Sequence, residues 1–265
     1  MPSLLVSPGP VTTVTLNRPD VRNALDDALV AELHAWATGV PADGSVRVAV
    51  LQGAGTAFCA GADLAWMQRM ASYSHDENVK DATAAAEMFL ALDSLPVPLI
   101  GRVHGAAIGG GVGLVAVCDV VVAADDATFG LTETRLGLVP AMISPYLVRK
   151  MGLSAARAWC LSGARFDATQ ASALGLVHKT APGSQLDDAI EAAVAAFSGA
   201  SPAAVKATKH LLSAVAGAAP ADVVALTAET IAAARGSADG REGLRAFFEK
   251  RPPAWTRPLS TRNRP

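Results

Sequence analysis

Short runs of β-branched and aliphatic residues recur through the first half of the chain, separated by stretches with helical spacing. These runs occupy residues 11–16, 46–51, 99–103 and 120–123. Runs of this length and composition are typical of strands, and their alternation with helices predicts an α/β core. A helix is expected over residues 24–36, because Leu25, Leu29 and Leu33 would then share one face.

The second half of the chain is rich in alanine and follows a helical period. Helix starts are predicted at polar or proline positions, namely Ser154, Asp167, Ser184, Ser201 and Pro220. We therefore divide the chain into a core with the functional site, residues 1–200, and a helical C-terminal region, residues 201–265. Residues 251–265 are expected to form an irregular tail.

Composition narrows the classes of protein that the sequence can encode. Of the 265 residues, 51% are hydrophobic and 17% charged, which excludes a disordered chain. A formal net charge of −2 gives no electrostatic reason to expect a nucleic-acid or membrane partner. The chain starts without a signal-peptide pattern, and no apolar run is long enough to span a bilayer, so a cytoplasmic location is expected. Three cysteines and five histidines show no metal-ligand spacing, and no metal site is predicted.

The common sequence motifs of nucleotide-binding proteins and serine hydrolases are incomplete or absent. Residues 53–58 resemble a dinucleotide fingerprint, but Phe58 stands where its third glycine belongs and no helix opens there. The sequence contains neither a Walker A motif nor a Gly-x-Ser-x-Gly elbow. A dehydrogenase, a P-loop enzyme and a serine hydrolase are therefore disfavoured.

Two loops rich in glycine and alanine remain as the candidate site. The first covers residues 58–64, after a predicted strand, and the second covers residues 104–114, before an apolar helix. Small residues let a ligand approach the backbone closely, and two converging N–H groups can stabilise a carbonyl oxygen that becomes an enolate. The alternative is that each loop is only a tight turn between a strand and a helix.

The chain resembles the enoyl-CoA hydratase/isomerase (crotonase) superfamily over residues 10–257. Six segments match in the family's order: 16–25 (LNRPDVRNAL), 58–64 (FCAGADL), 103–111 (VHGAAIGGG), 118–119 (CD), 129–140 (FGLTETRLGLVP) and 242–251 (EGLRAFFEKR). The resemblance implies a spiral of β-β-α turns and C-terminal helices that form a trimer or a hexamer. It also implies an acyl-CoA substrate, with no cofactor other than the coenzyme A (CoA) that belongs to the substrate.

The resemblance assigns roles to individual residues. It implies an oxyanion hole built from the backbone N–H groups of Ala62 and Gly110. Other positions are implied to contact the substrate or its CoA: Arg22, Ala60, Asp63, Leu64, Gly109, Gly113, Phe247 and Lys250. For Arg22, a solvated surface arginine is an equally open interpretation.

Glu133 is the residue to which the resemblance assigns acid–base catalysis. Its side chain lies between two apolar stretches, where burial would raise the carboxyl pKa and suit proton transfer at the α-carbon. Many family members carry a second glutamate two residues after the triple glycine, but this chain has Gly113 there. One carboxylate is sufficient for a double-bond isomerase, so that activity stays open beside hydration.

The local sequence is most similar to methylglutaconyl-CoA and isohexenylglutaconyl-CoA hydratases, a branch that tends to carry glycine at this position and acts in leucine and terpene breakdown. This favours hydration over isomerisation. A glutaconyl substrate has a distal carboxylate, for which Arg69 and Arg135 are the candidate cations. The alternative is that both arginines are solvated or form ordinary surface ion pairs. A non-catalytic or RNA-binding homologue is disfavoured, because Glu133 is present and no basic stripe with interleaved aromatic residues is found.

Overall fold

The computed structural model of the protein describes residues 2–262. Nine strands are described within this range: β1 (Leu4–Ser7), β2 (Val11–Leu16), β3 (Val48–Gly53), β4 (Leu99–Val103), β5 (Ala106–Ile108), β6 (Val120–Ala124), β7 (Thr128–Gly130), β8 (Arg165–Asp167) and β9 (Lys179–Ala181). The helices in the same range are α1 (Asp27–Gly39), α2 (Leu64–Met70), α3 (His75–Asp93), α4 (Gly110–Ala116), α5 (Ser144–Ser162), α6 (Ala168–Ala173), α7 (Leu186–Ala195), α8 (Pro202–Val215), α9 (Val224–Gly236) and α10 (Ala238–Phe248).

A six-stranded sheet in the order β1-β2-β3-β4-β6-β9 forms the centre of the core. The strands from β2 to β9 pair in parallel, and β1 adds an antiparallel edge. Residues 48–51 of β3 are all buried, which explains why these four residues form a continuous apolar run rather than an alternating pattern.

A smaller sheet in the order β5-β7-β8 lies beyond the carboxyl ends of the central strands. Its first strand follows β4 after two residues, and its second strand follows β6 after three. In register, Phe129 of β7 faces Phe166 of β8. The chain therefore leaves the central sheet twice at the same edge, and this brings its loops together there.

The first helix begins three residues later than residue 24, the predicted start. Arg22 and Asn23 both adopt left-handed backbone angles, with φ of 52° and 56°, and this stops the helix from extending backwards. Leu25 then pairs with Ala62 as an isolated parallel bridge instead of lying on the helix. The carboxylate of Asp26 accepts a hydrogen bond from the Leu29 N–H at 2.8 Å and caps the helix.

The other predicted helix starts agree with the structure to within a few residues. Ser154 follows Gly152, where α5 breaks, while Asp167 and Ser201 cap α6 and α8. A 3-10 turn precedes α7 near Ser184, and another precedes α9 at Pro220.

The last described segment, residues 251–262, has no helix or strand but is tied to the core. The Trp255 indole donates to the Gly199 carbonyl at 3.0 Å, and Leu259 is 4% exposed. Buried Arg47 donates to the carbonyls of Trp255 and Ala200. For residues 251–262 the expectation of an irregular tail therefore holds for the backbone shape, although the segment packs on the core; residues 263–265 of that prediction lie outside the described residues.

Within residues 2–262, no helix is long and apolar enough to cross a membrane. The same residues contain no cluster of three or more groups suited to hold a metal ion. Burial raises the pKa of Cys59 and of Cys118 to about 12, which keeps both thiols protonated at neutral pH.

Asn23 is fully buried and joins two loops next to the sheet. Its amide donates to the carbonyls of Ala54 at 2.7 Å and Ala57 at 2.8 Å. Its side-chain oxygen accepts from the Arg18 N–H at 2.9 Å. The left-handed backbone at this position also suits asparagine better than most residues.

Replacing Asn23 with alanine should lower the free energy of unfolding by about 2–4 kcal/mol, because buried backbone groups lose their partners. Urea denaturation measures this loss. The control is Asn17→Ala, which removes an exposed bond to the Pro2 carbonyl and should cost less than about 1 kcal/mol. Equal losses for the two variants would contradict the role assigned to Asn23.

Candidate active site

The two glycine loops are joined through their backbones. Cys59 donates its N–H to the Ala106 carbonyl at 3.0 Å and accepts from the Ile108 N–H at 3.0 Å. This is the pattern of a parallel bridge, with Cys59 opposite Ala107. The pairing places residues 60–63 beside residues 108–111 at the carboxyl edge of the central sheet.

Two glycines permit this close approach. A Cβ atom on Gly61, whose φ is 93°, would lie 2.8 Å from the Ile108 carbonyl oxygen. A Cβ on Gly111 would lie 2.3 Å from the Cys59 carbonyl oxygen. Both obstacles are backbone atoms that cannot swing away, so any larger residue would separate the loops.

The N–H groups of Ala62 and Gly110 are two free donors at this junction. Leu25 donates to the Gly61 carbonyl and accepts from the Asp63 N–H, so the N–H of Ala62 between them points away from Leu25. Gly110 is the first residue of α4, where backbone N–H groups lack partners within the helix. Neither N–H has a hydrogen-bond partner in the described part of the chain. The arrangement fits the predicted pair of oxyanion donors.

Asp63 supports the first loop from behind. Its carboxylate accepts from the N–H groups of Ala65 at 2.8 Å and Trp66 at 3.2 Å, and so caps α2. Arg18 pairs with this carboxylate at 2.9 Å and with Asp26 at 2.8 Å. Backbone donors and Arg18 outweigh burial and lower the Asp63 pKa. In this structure the oxygens of Asp63 hold the loop rather than face an open site.

Glu133 begins a 3-10 turn, Glu133–Leu136, directly beyond β7. Its Oε1 atom lies 3.1 Å from the position that a Cβ on Gly109 would occupy, which places the carboxylate against the second loop. Its Oε2 atom is buried and has no hydrogen-bond partner within the described residues. An ionisable oxygen without a partner, on a carboxylate that lies against the second glycine loop, is a candidate proton carrier.

Burial is the main cause that raises the pKa of Glu133 above the ordinary value of 4.5. Its own backbone N–H partly offsets this effect. The charge of Glu133 in turn contributes, after burial, to raising the pKa of the Cys160 thiol. These shifts are those of a carboxylate in an environment with little water.

Gly113 leaves no room for a side chain. A Cβ at this position would lie 2.2 Å from Ile143 Cγ2 and 2.9 Å from Phe89 Cε1. Both neighbours are 2% exposed. Apolar side chains therefore fill the space beside α4 at the position for which the resemblance implies a second carboxylate in many family members. Glu133 is then the predicted acid–base residue at the site.

The remaining predicted residues differ in their exposure and in their contacts with the two loops. Ala60 donates its N–H to the Arg22 carbonyl at 3.0 Å, while the side chains of Arg22 and Leu64 face solvent, the latter 82% exposed. Phe247 is 76% exposed at the end of α10, and Lys250 follows with a left-handed φ of 53°. The single chain does not bring these last two residues to the glycine loops.

The two arginines considered for a distal carboxylate differ. Arg69 pairs with Asp27 at 2.9 Å on the surface. Arg135 is exposed, has no ion pair within residues 2–262, and packs its aliphatic stem over Gly163. Arg135 is thus the cation with an uncommitted guanidinium.

Comparison with known proteins identifies the family. The family model described as enoyl-CoA hydratase/isomerase matches residues 7–258. The chain belongs to this family.

Solved structures of similar sequence share the whole fold. AtuE of Pseudomonas aeruginosa is 40% identical, with a TM-score of 0.92 over 96% of this chain and 100% of that chain. An enoyl-CoA hydratase from Shewanella pealeana is 38% identical, with a TM-score of 0.91 over 96% of both chains. The 2,3-dehydroadipyl-CoA hydratase of Escherichia coli is 35% identical, with 92% of this chain and 94% of that protein covered.

These matches confirm the predicted crotonase fold, with its spiral of β-β-α turns and helical C-terminal region, and they identify an enzyme of this family. Several residues that shape the site were not predicted: Arg18, Asn23, Thr134 and Ile143. Asn23 carried a usable signal, since it follows the turn segment and asparagine tolerates a left-handed backbone. Ile143 carried none, because its contact with Gly113 spans thirty residues of chain.

The Glu133 carboxylate, one oxygen of which is buried without a partner in the described residues, should reduce stability above its pKa. Because its pKa is raised in the folded state, stability is greatest below about 4.5 and is lost as the pH rises through the folded-state pKa. Glu133→Gln removes this ionisation. The stability of the variant relative to the wild type should therefore be greater at pH 8 than at pH 4, as measured by urea denaturation. A difference that stays constant or narrows between these pH values would contradict the assignment.

Gly113→Ala should destabilise the protein by about 1–3 kcal/mol, because its methyl group must displace Ile143. The double variant Gly113→Ala with Ile143→Ala should lose less than the sum of the two single losses. Gly39→Ala is the control, since a Cβ on Gly39 meets nothing within 4 Å. Additive losses in the double variant would show that the two residues do not compete for the same space.

Proposed function

We propose that the protein is an enoyl-CoA hydratase, which adds water to an α,β-unsaturated acyl-CoA thioester or removes it in reverse. The observation that carries this proposal is the half-buried Glu133 carboxylate, held against the loop that offers the free N–H of Gly110. Family membership gives the acyl-CoA chemistry, and the site supplies a place for it.

The thioester oxygen would accept hydrogen bonds from the N–H groups of Ala62 and Gly110. Negative charge grows on this oxygen as the double bond is attacked, so the two donors bind the transition state more strongly than the substrate. Removing one donor of this kind typically costs about 3 kcal/mol of transition-state stabilisation. The small side chains at the junction leave the backbone accessible for this contact.

Glu133 would move the protons. In hydration, a water oxygen bonds to the β-carbon, the π electrons move to the thioester as an enolate, and the water proton passes to the carboxylate. The enolate then collapses, and its α-carbon takes a proton from Glu133, which returns to its ionised form. All atoms come from water and the acyl-CoA, so the proposed reaction needs no metal and no cofactor beyond the CoA of the substrate.

Double-bond isomerisation is the second candidate, favoured by the absence of a carboxylate at Gly113. Glu133 would then remove a proton from the α-carbon of a 3-enoyl thioester and return it to the γ-carbon. This reaction requires no water.

The finer proposal is a substrate of the 3-methylglutaconyl-CoA type. It is supported by the similarity of residues 62–70, 109–114 and 136–146 to that branch of hydratases. Arg135 has the uncommitted guanidinium that a distal carboxylate needs. The relative from Escherichia coli is named for a different acyl group, so the relatives do not single out one substrate.

We also propose that the protein works as a homotrimer or a hexamer. Phe247 and Phe248 are each 76% exposed and pack edge to face at 5.7 Å, an arrangement suited to burial by a second copy. In the assembly, Phe247 and Lys250 would reach the CoA of an adjacent subunit, with Arg22 near the CoA phosphates. No nucleic acid takes part in this proposal.

Glu133→Gln should lower turnover by roughly 10²–10⁴-fold, the usual contribution of a positioned acid–base group, with a much smaller change in thioester affinity. The measurement is kinetic, with crotonyl-CoA, 3-methylcrotonyl-CoA, 3-methylglutaconyl-CoA and a 3-enoyl-CoA, and with product identification. A 3-hydroxyacyl product identifies a hydratase, and a 2-enoyl product from the 3-enoyl thioester identifies an isomerase.

The matched control is Glu229→Gln, an exposed glutamate on α9, which should leave turnover unchanged. Near wild-type turnover in a folded Glu133→Gln variant would remove Glu133 from the mechanism. If the wild-type enzyme converts none of the four thioesters, the proposed hydratase and isomerase activities are both wrong for these acyl groups.

A further inference from the structure

The turn that carries Glu133 rests on the C-terminal end of α5. Thr134, the next residue in the turn, donates its hydroxyl to the Cys160 carbonyl at 3.1 Å. These two residues are 26 positions apart in the chain. The bond is therefore a tertiary contact that fixes where the turn lies, and not part of the turn itself.

The Cys160 carbonyl lies in the last turn of α5, where backbone carbonyls lack partners within the helix. The N–H of Gly163 donates to the Trp159 carbonyl at 3.1 Å, and the N–H of Ala164 donates to the Ser162 hydroxyl at 3.2 Å. Within the described chain, the Thr134 hydroxyl is the hydrogen-bond donor to the Cys160 carbonyl. A helix end and the catalytic turn thus satisfy each other's hydrogen bonding.

Gly163 lets the turn come this close. A Cβ on Gly163 would lie 2.9 Å from Arg135 Cγ and 3.2 Å from Thr134 Oγ1. Its φ of 60° also lies in the left-handed region that favours glycine. The end of α5 is therefore shaped to receive residues 134 and 135.

The other end of the same segment is held by aromatic packing. Phe129 of β7 stacks on Phe166 at 5.6 Å, and Phe166 packs on Trp159 at 4.7 Å. Trp159 lies one residue before Cys160 in α5. Phe129, which precedes Glu133, thus packs on β8, and Thr134, which follows Glu133, bonds to α5.

We propose that Thr134 is a positioning residue, whose hydrogen bond to the Cys160 carbonyl holds the Glu133 carboxylate against Gly109 in its reactive place. The inference rests on the proposed function of Glu133 as proton carrier. Without the bond, the turn is free to move outward by the fraction of an ångström that a proton transfer does not tolerate. In the intact protein, Oε2 is buried and has no hydrogen-bond partner within the described residues. When the turn moves, water reaches Oε2, and the pKa of the Glu133 carboxyl falls towards its ordinary value.

The test compares Thr134→Val, which keeps the shape but loses the donor, with Thr134→Ser, which keeps the donor. Thr38→Val is the control, since the Thr38 hydroxyl also bonds a helical carbonyl, that of His34 at 2.9 Å, in α1. Each variant is assayed for kcat and KM across pH on the best thioester. The Glu133 carboxyl is also titrated by carbon-13 NMR, and the spectrum of Glu133→Gln identifies its signal.

We expect Thr134→Val to lower kcat about 10- to 100-fold with KM within about threefold of the wild type. The acidic limb of the pH profile and the Glu133 titration should both move to lower pH. Thr134→Ser should restore all three, and Thr38→Val should leave them unchanged. If Thr134→Val does not fold, Thr134→Ala carries the same comparison.

A valine variant that keeps kcat within twofold and an unchanged Glu133 titration would overturn the proposal, even if its melting temperature falls. So would a serine variant that fails to restore the titration. If the wild-type protein turns over no thioester, the proposed function fails, but the titration still decides whether Thr134 governs Glu133.

Discussion

The backbone pairing between the two glycine loops is the interaction on which the site depends. Cys59 bonds to Ala106 and Ile108 with main-chain atoms alone, so the relative position of the proposed oxyanion donors is set by main-chain geometry and not by side-chain rotamers. A main-chain frame of this kind is rigid, so it loses little conformational entropy when a ligand binds. Rigid donors are suited to stabilise a negative charge that develops during a reaction. It also explains why the loops tolerate so little volume: the obstacles to a larger residue at Gly61 or Gly111 are carbonyl oxygens of the frame itself.

Glu133 lowers the stability of this rigid region, because one of its oxygens is buried without a hydrogen-bond partner in the described residues. The loss of stability caused by this oxygen is offset by nearby buried polar groups that have hydrogen-bond partners. Asn23 is satisfied by three backbone contacts, and Asp63 by two N–H groups and Arg18. The site therefore combines a buried carboxylate oxygen that has no partner with well-bonded neighbours, an arrangement that stability alone would not select and that the proposed proton transfer would use.

The sequence was sufficient to predict strands β2, β3, β4 and β6, the two glycine loops and the residue types at their junction, since each has a local pattern. It did not predict the other described strands, which are short or lie at the edge of the central sheet: β1, β5, β7, β8 and β9. It placed the start of α1 too early, because the helical spacing of Leu25 was stronger than the turn signal of Asn23. It gave no sign of Thr134 or Ile143 as neighbours of the site, since Cys160 and Gly113 are distant in the chain and hydroxyl or aliphatic residues carry no pattern of their own. The roles of Phe247 and Lys250 depend on a second copy, and they stay predictions.

The way the Glu133 turn is held bears on both of the proposed reactions. In hydration, the carboxylate would take a proton from the water whose oxygen bonds to the β-carbon and would return a proton to the α-carbon. In isomerisation, it would take a proton from the α-carbon and return it to the γ-carbon. The two positions that exchange the proton are separated by one carbon in either case, so neither reaction requires the carboxylate to move farther than the other. A turn held by the Thr134 hydroxyl and packed on Gly163 therefore suits both reactions. We infer that a single carboxylate is sufficient because its two oxygens lie in different surroundings, one against Gly109 and one without a hydrogen-bond partner in the described residues, and that water access to the β-carbon distinguishes hydration from isomerisation.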